Sequence, residues 1–461
     1  MLLFLFLGCC YSIVHAGDDE KGFVVVPTSS FQPETVCSTA RVNLEQNHST
    51  VSVPLVHRHG PWAPWQSTDW PSFREMLRRN RARSSTITSR ASRGAASARD
   101  DKKVVIPSHI GDAVDSLEYV VTVGLGTPAV RQTVLLDTGS DVSWVQCAPC
   151  GAGECSSQKD PLFDPSRSST YRPMPCSSGA CRDLGAYGNG CTNGTDDDRC
   201  RFAILYEDGT VTGGVYSSDK LTLTSVDTVG NFLFGCAHDE RPSGKYDGLL
   251  ALGRLPMSLV SQASSQYRGA FSYCLPAVNS RSGFLALGVR MRSDTTGFAL
   301  TPLGTSPLQA PFYVVTMTGI AVGGKQLVGL RLSAFAGGMI IDSGKVVTAL
   351  PSTAYRALRT AFRKAMAPYP LVPNGHLDTC YNLTGHKNVT VPKVALTFSG
   401  GATINLDVPN GILVEGCLVF EDSGGDGSVA VLGNVNQRNF EVLYDTSHSK
   451  VGFGPIHAEM M

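Results

Sequence analysis

Two acidic turns of the same make stand far apart in the chain. Asp137, Thr138, Gly139 and Ser140 follow the apolar run Val134-Leu135-Leu136, and Asp342, Ser343, Gly344 and Lys345 follow Met339-Ile340-Ile341. An Asp, a small hydroxyl residue and Gly after a buried strand place a carboxylate on a tight turn, where the glycine lets backbone approach closely. One such turn is ordinary turn chemistry. Two, in corresponding places of two related lobes, would bring their carboxyl groups together about a pseudo-twofold axis. Carboxyls held that close do not both ionise cheaply, so the pair keeps one proton over a wide acidic range and titrates as a unit. The charged member can take a proton from a water while the neutral one polarises an amide carbonyl, so general base and general acid are supplied together. That chemistry asks for no metal, and no cofactor is assigned. The scattered histidines show no His-Glu-Xaa-Xaa-His or comparable ligand spacing.

The elements that must carry these turns repeat as well. Leu250-Ala251-Leu252-Gly253 follows the first turn and Val431-Leu432-Gly433 the second, while Tyr119-Val120-Val121 and Tyr313-Val314-Val315 lead towards each Asp. Such self-similarity marks two related lobes. From Leu117 onwards short alternating runs, closely punctuated by Gly and Pro, predict an all-β chain. One helix is expected from about Pro351 to Met366, with Tyr355, Leu358, Phe362 and Met366 forming its core stripe.

At 461 residues the chain is long enough for at least two globular units. Met1 to Ala16 is a short apolar stretch followed by Asp18, Asp19 and Glu20, which reads as a cleaved signal peptide, and no later run is long enough to span a bilayer. Fourteen cysteines, eight of them between Cys147 and Cys236, point to an oxidising compartment. Sequons at Asn47, Asn193, Asn382 and Asn388 fit export and glycosylation. Net charge is zero, yet residues 17–110 hold thirteen Lys and Arg against nine Asp and Glu. The Arg-rich stretch 57–103 reads as a mobile, cleavable linker and not as a nucleic-acid site, since it has no stacking platform. The domains expected are thus a signal peptide at 1–16, a prosegment at 17–110, a first lobe at 117–305 and a second at 306–461. Lowering the pH would weaken the hold of a basic prosegment on an acidic cleft.

From Tyr119 to Phe453 the chain resembles the pepsin-like aspartic proteases, most closely their plant nepenthesin-like branch. The resemblance rests on Leu125-Gly126-Thr127-Pro128, Asp137-Thr138-Gly139-Ser140-Asp141 with Trp144-Val145-Gln146-Cys147, Phe163-Asp164-Pro165-Ser166, Phe234-Gly235-Cys236, Phe271-Ser272-Tyr273-Cys274 and Leu377-Asp378-Thr379-Cys380-Tyr381. Val56-His57-Arg58-His59-Gly60-Pro61 resembles that branch's prosegment. The resemblance implies a bilobal all-β fold and a zymogen of an endopeptidase acting on protein or peptide substrates at acidic pH; a monomer is expected, and the signal peptide implies secretion, compatible with apoplast, cell wall or vacuole. Asp137 and Asp342 would be its catalytic pair. It implies that Thr138 and Ser343 lock the two turns together, that Ser140 hydrogen-bonds Asp137, that Tyr206 is the flap tyrosine with Trp144 near it, and that Cys380 bridges Cys417.

Three departures accompany it. Lys345 stands where the family usually has Thr, and its ammonium would either favour the charged form of Asp342 or snorkel towards the wet cleft. Lys345→Thr is expected to raise acid cleavage. Glu207 replaces the glycine after the flap tyrosine, and Cys274 is left as the unpaired cysteine unless Cys37 reaches it before processing. Asp422-Ser423-Gly424-Gly425 resembles a serine-protease nucleophile turn, but Glu421 precedes it and no matching upstream His exists, so a polar loop is expected. The competing function is a catalytically weak or inactive binding protein, since plant relatives of this architecture include inhibitors of microbial glycoside hydrolases.

Overall fold

The computed structural model describes residues 22–27, 51–57 and 119–455, apart from 151–154, 156–157, 193–197, 206–210, 240–246, 277–282, 289–296, 305–310, 375–376 and 409–410. The alternating runs form strands, and these assemble into two lobes of like plan. In the first, Val130–Asp137 runs parallel to Gly248–Ala251, which is antiparallel to Trp144–Gln146, itself parallel to Thr228–Asp239. In the second, Met339–Ile341 runs parallel to Ala430–Leu432, which is antiparallel to Thr348–Leu350, itself parallel to Phe420–Asp422. The repeat read in the sequence is therefore a repeat of strand order and direction. No helix among the described residues is long and apolar enough to cross a membrane.

The lobes share a sheet. Phe440–Asp445 and Lys450–Pro455, from the end of the chain, pair with each other and extend a ladder made by Ala270–Cys274 and Gly283–Leu287 of the first lobe. Residues from both halves then fill one apolar core, from Val121, Leu136 and Phe271 to Ile341, Leu432 and Tyr444. Against the second lobe lies the helix Ser352–Ala365, whose Tyr355, Leu358 and Phe362 are buried as their spacing predicts.

Part of the segment read as a prosegment belongs to this framework. Val51–His57 lies antiparallel between Gly283–Leu287 and Tyr119–Leu125, with Val53 and Leu55 in the main core. Phe23–Pro27 pairs with Asn388–Pro392 of the second lobe. The linker 58–118, including its arginines, lies outside the described residues.

Disulfides staple the first lobe through Cys147–Cys236, Cys150–Cys155, Cys176–Cys191 and Cys181–Cys200, and the second through Cys380–Cys417. Cys274, expected to be the unpaired cysteine, is disulfide-bonded. Its partner and Cys37 both fall outside the described residues. Cys176, Cys191 and Asp198 lie at metal-ligand separation, but the two sulfurs are joined to each other and offer no thiolate.

Candidate active site

Each acidic turn sits at the end of a buried strand held by the strand beside it. Ala251 lies opposite Asp137, and Leu252 N–H donates to Asp137 O at 2.8 Å. In the second lobe Asp342 N–H donates to Leu432 O at 3.2 Å. Both aspartates are fully buried. Within each turn the glycine amide donates to the carboxylate that precedes it, Gly139 N to Asp137 Oδ1 and Gly344 N to Asp342 Oδ1, each at 2.8 Å.

The two turns interlock through their hydroxyl residues. Ser343 N donates to Thr138 Oγ1 at 3.0 Å and Thr138 N to Ser343 Oγ at 3.1 Å. Each hydroxyl then donates across to the other lobe's strand end, Thr138 Oγ1 to Ile341 O at 3.2 Å and Ser343 Oγ to Leu136 O at 3.3 Å. Every buried donor in this lattice finds an acceptor on the opposite lobe, so neither turn is complete alone. The glycines of the repeat make room for it. A Cβ at Gly253 would lie 2.3 Å from Asp141 Oδ1 and 2.6 Å from Ser140 O, and one at Gly433 would lie 2.5 Å from Val346 O.

Beyond the grip the turns differ. Ser140 Oγ donates to Asp137 Oδ2 at 2.5 Å, so Asp137 accepts from a backbone amide and a hydroxyl. Lys345 occupies the corresponding place beside Asp342. Its side chain is completely buried, and its Nζ donates to Glu421 Oε1 at 2.6 Å. Snorkelling to the wet cleft is thereby ruled out: a short ion pair to a neighbouring strand holds the ammonium inside the lobe. Glu421, expected only as part of a polar loop, lies on Phe420–Asp422 opposite Ala349 and retains 17% exposure.

Beneath the turns lies an aromatic floor that sequence reasoning noticed only in part. Phe271 and Tyr444 stack at 4.4 Å between ring centroids, and Tyr313 meets Tyr444 edge-on at 4.6 Å. Tyr313 OH donates to Leu252 O at 2.9 Å, and the Tyr273 and Tyr444 hydroxyls share a hydrogen bond of 2.8 Å. Tyr273 OH also donates to Gln437 Oε1, whose amide donates to Asp342 O at 3.1 Å and Leu432 O at 2.7 Å. Burial pushes the Tyr444 hydroxyl well above the usual phenol range. The matched tyrosines before each Asp were the available signal. Tyr313 reaches from the second lobe to Leu252 O of the first, whereas Tyr119 OH donates to Pro276 O at 3.0 Å and accepts from Arg438 Nε at 2.9 Å. Trp144 is buried, and Tyr206 and Glu207 lie outside the described residues.

A second carboxyl pair, Asp160 and Asp247, lies within the first lobe. Asp247, fully buried, accepts from Thr133 N at 2.5 Å, Lys159 N at 3.2 Å and Asp160 N at 3.1 Å. Burial pushes its carboxyl up to about 7, and a hydrogen bond with Asp160 adds to the effect. Burial also acts to raise Asp160, but hydrogen bonds from Thr133, Asp247 and Arg131 outweigh it and hold that group below the usual carboxylate range.

The halves match two family models, described as the xylanase inhibitor N-terminal domain over residues 119–289 and the xylanase inhibitor C-terminal domain over residues 312–455. An aspartyl protease family protein of Arabidopsis thaliana is 36% identical over 452 residues, 95% of this chain and 94% of its own length. Nepenthesin-2, an aspartic proteinase of Nepenthes gracilis, is 35% identical over 364 residues, 76% of this chain and 79% of its own. Among solved structures, basic 7S globulin from soybean superposes with a TM-score of 0.59 at 20% identity, covering 74% of this chain and 92% of the globulin, which shows the shared fold. With the paired turns, the two matching halves and full-length aspartyl protease relatives in agreement, the chain belongs to the pepsin-like aspartic protease family, in its plant nepenthesin-like branch.

Proposed function

We propose that the chain is a secreted aspartic endopeptidase, made as a zymogen, that hydrolyses peptide bonds at acidic pH with a water activated by Asp137 and Asp342. The observation that carries this reading is the reciprocal lock between the turns, Thr138 into the second and Ser343 into the first, since a surface that only bound a partner would not need two turns, each bearing a buried carboxylate, fixed to each other's backbone. With one proton on the pair, the ionised carboxylate takes a proton from the water as it attacks the amide carbonyl, and the protonated carboxyl hydrogen-bonds the oxygen on which charge develops. Gly139 and Ser140 orient Asp137 for that exchange, and Gly344 orients Asp342.

The second reading, a binding protein without turnover, draws on Lys345, because the second turn lacks the hydroxyl that mirrors Ser140. One assay separates them: cleavage of a denatured protein at about pH 3 to 5, the range where a carboxyl pair holds a single proton. Cleavage abolished by Asp137→Asn and by a statine-type transition-state mimic is the expected result. Correctly processed protein that cleaves nothing over that range overturns the enzyme reading in favour of binding.

A further inference from the structure

Lys345 and Glu421 form a buried ion pair one residue beyond the Asp342-Ser343-Gly344 turn, and nothing in the peptidase chemistry above uses it. Its cost is real. Taking the ammonium fully and the carboxylate largely out of water is costly, and the pair is tolerable only while both partners are present. Lys345 cannot leave, because its backbone is part of the turn: its carbonyl accepts from Asn434 N at 2.6 Å, and Asn434 Nδ2 donates to Ser343 O at 3.0 Å. Glu421 is equally fixed, by its place on Phe420–Asp422 beside Thr348–Leu350. Lys345 thus carries a fixed ammonium three residues along the chain from Asp342, and Glu421 is a fixed charge set against it.

We propose that Glu421 is a positioning residue for the dyad, holding the Lys345 ammonium in a neutral buried pair so that Asp342 shares its proton with Asp137 despite the cation next to it. This rests on the aspartic endopeptidase reading and names the residue that reconciles Lys345 with it. Other charges face the pair from the neighbouring elements. Asp342 stands on the turn itself. Asp422, on the same strand as Glu421, accepts from Ser352 Oγ and Gly424 N and lies in the field of Arg359 from the helix Ser352–Ala365. Arg359 is already engaged with Asp378. Asp426 accepts from Thr353. Asp422 and Asp426 are exposed and Arg359 is separately partnered, and the acid that pairs with Lys345 among the described residues is Glu421.

The test is a charge series at one place. Glu421→Gln leaves a net positive charge beside Asp342, Lys345→Thr a net negative one, and the double variant neither. A cation favours ionised carboxyls and an anion disfavours them. The bell-shaped profile of cleavage against pH is therefore expected to move about one pH unit down in Glu421→Gln and up in Lys345→Thr. In the double variant it returns to the position of the parent. A merely structural pair would lower activity and stability in the single variants without this ordering. The protonation of the dyad is followed in parallel by carbon NMR of carboxyl-labelled aspartate, which needs no turnover. Ordered titration without cleavage keeps the role of Glu421 and removes the peptidase. Cleavage with superimposed profiles, or with Glu421→Gln displaced upwards, overturns the inference alone.

Discussion

Asp247 gives the most direct link between this structure and pH. Its folded-state value near 7 exceeds the ordinary 3.8, so the native chain holds a proton that the unfolded chain releases. The sign follows from linkage: where the native state binds more protons, stability falls as pH rises. The contribution is complete below about pH 4 and is lost as pH climbs towards 7. The upper bound is about 3 units at about 1.4 kcal/mol each, about 4 kcal/mol. Since Asp160 shares the proton and Arg131, which is well exposed, screens the pair, about 2 kcal/mol is the expected net loss. Asp247→Asn isolates the effect. Its amide oxygen can accept from Lys159 N and Asp160 N and its amide nitrogen can donate to Asp160, but that nitrogen then faces Thr133 N–H, a donor left without its acceptor. One orphaned buried donor costs about 1–3 kcal/mol at every pH. The variant should therefore be less stable than the parent at pH 4 and recover about 2 kcal/mol relative to it by pH 8, as measured by urea unfolding across that range. Stability curves that run parallel from pH 4 to pH 8 would refute the argument.

Thr138→Val keeps the shape of the grip but orphans Ser343 N, so about 2 kcal/mol of stability and nearly all cleavage should go together, as read by unfolding and by peptide turnover. Gly253→Ala drives a methyl into Asp141 and Ser140 O, and activity should drop at least tenfold while the circular dichroism of the second lobe is unchanged. Cys380→Ser with Cys417→Ser opens a link spanning 37 residues and should cost about 4 kcal/mol by loop entropy, seen as a lower melting temperature.

The legible parts of this protein were those encoded locally or by repetition. The strand-turn units around Asp137 and Asp342 each carry their own pattern, and comparing them exposed the lobes without any long-range information. The helix Ser352–Ala365 announced itself through Tyr355, Leu358 and Phe362 in the same way. What stayed hidden were partnerships between distant residues. Lys345 gave no hint that its counter-charge would come from Glu421, because that contact depends on Phe420–Asp422 lying parallel to Thr348–Leu350. Lys345→Thr, expected from the sequence to raise acid cleavage, also leaves the largely buried Glu421 carboxylate without its ammonium. The Asp160 and Asp247 pair is likewise a product of tertiary placement. Cys274 looked odd by arithmetic because parity counts only the cysteines judged to remain together. The basic composition of residues 17–110 concealed two strands, Phe23–Pro27 and Val51–His57, whose partners lie in different lobes.

Those two strands also set an order of events during synthesis. Val51–His57 leaves the ribosome early, yet one of its neighbours, Gly283–Leu287, comes only after the first lobe is nearly made, and Asn388–Pro392, which pairs with Phe23–Pro27, comes close to the end. Contacts between segments so remote in the chain carry a large loop-closure cost and form slowly. The first strands to be made are thus among the last to find their places, and until then the matching edges of both lobes stand open as sites where a chaperone, or another copy of the chain, can pair.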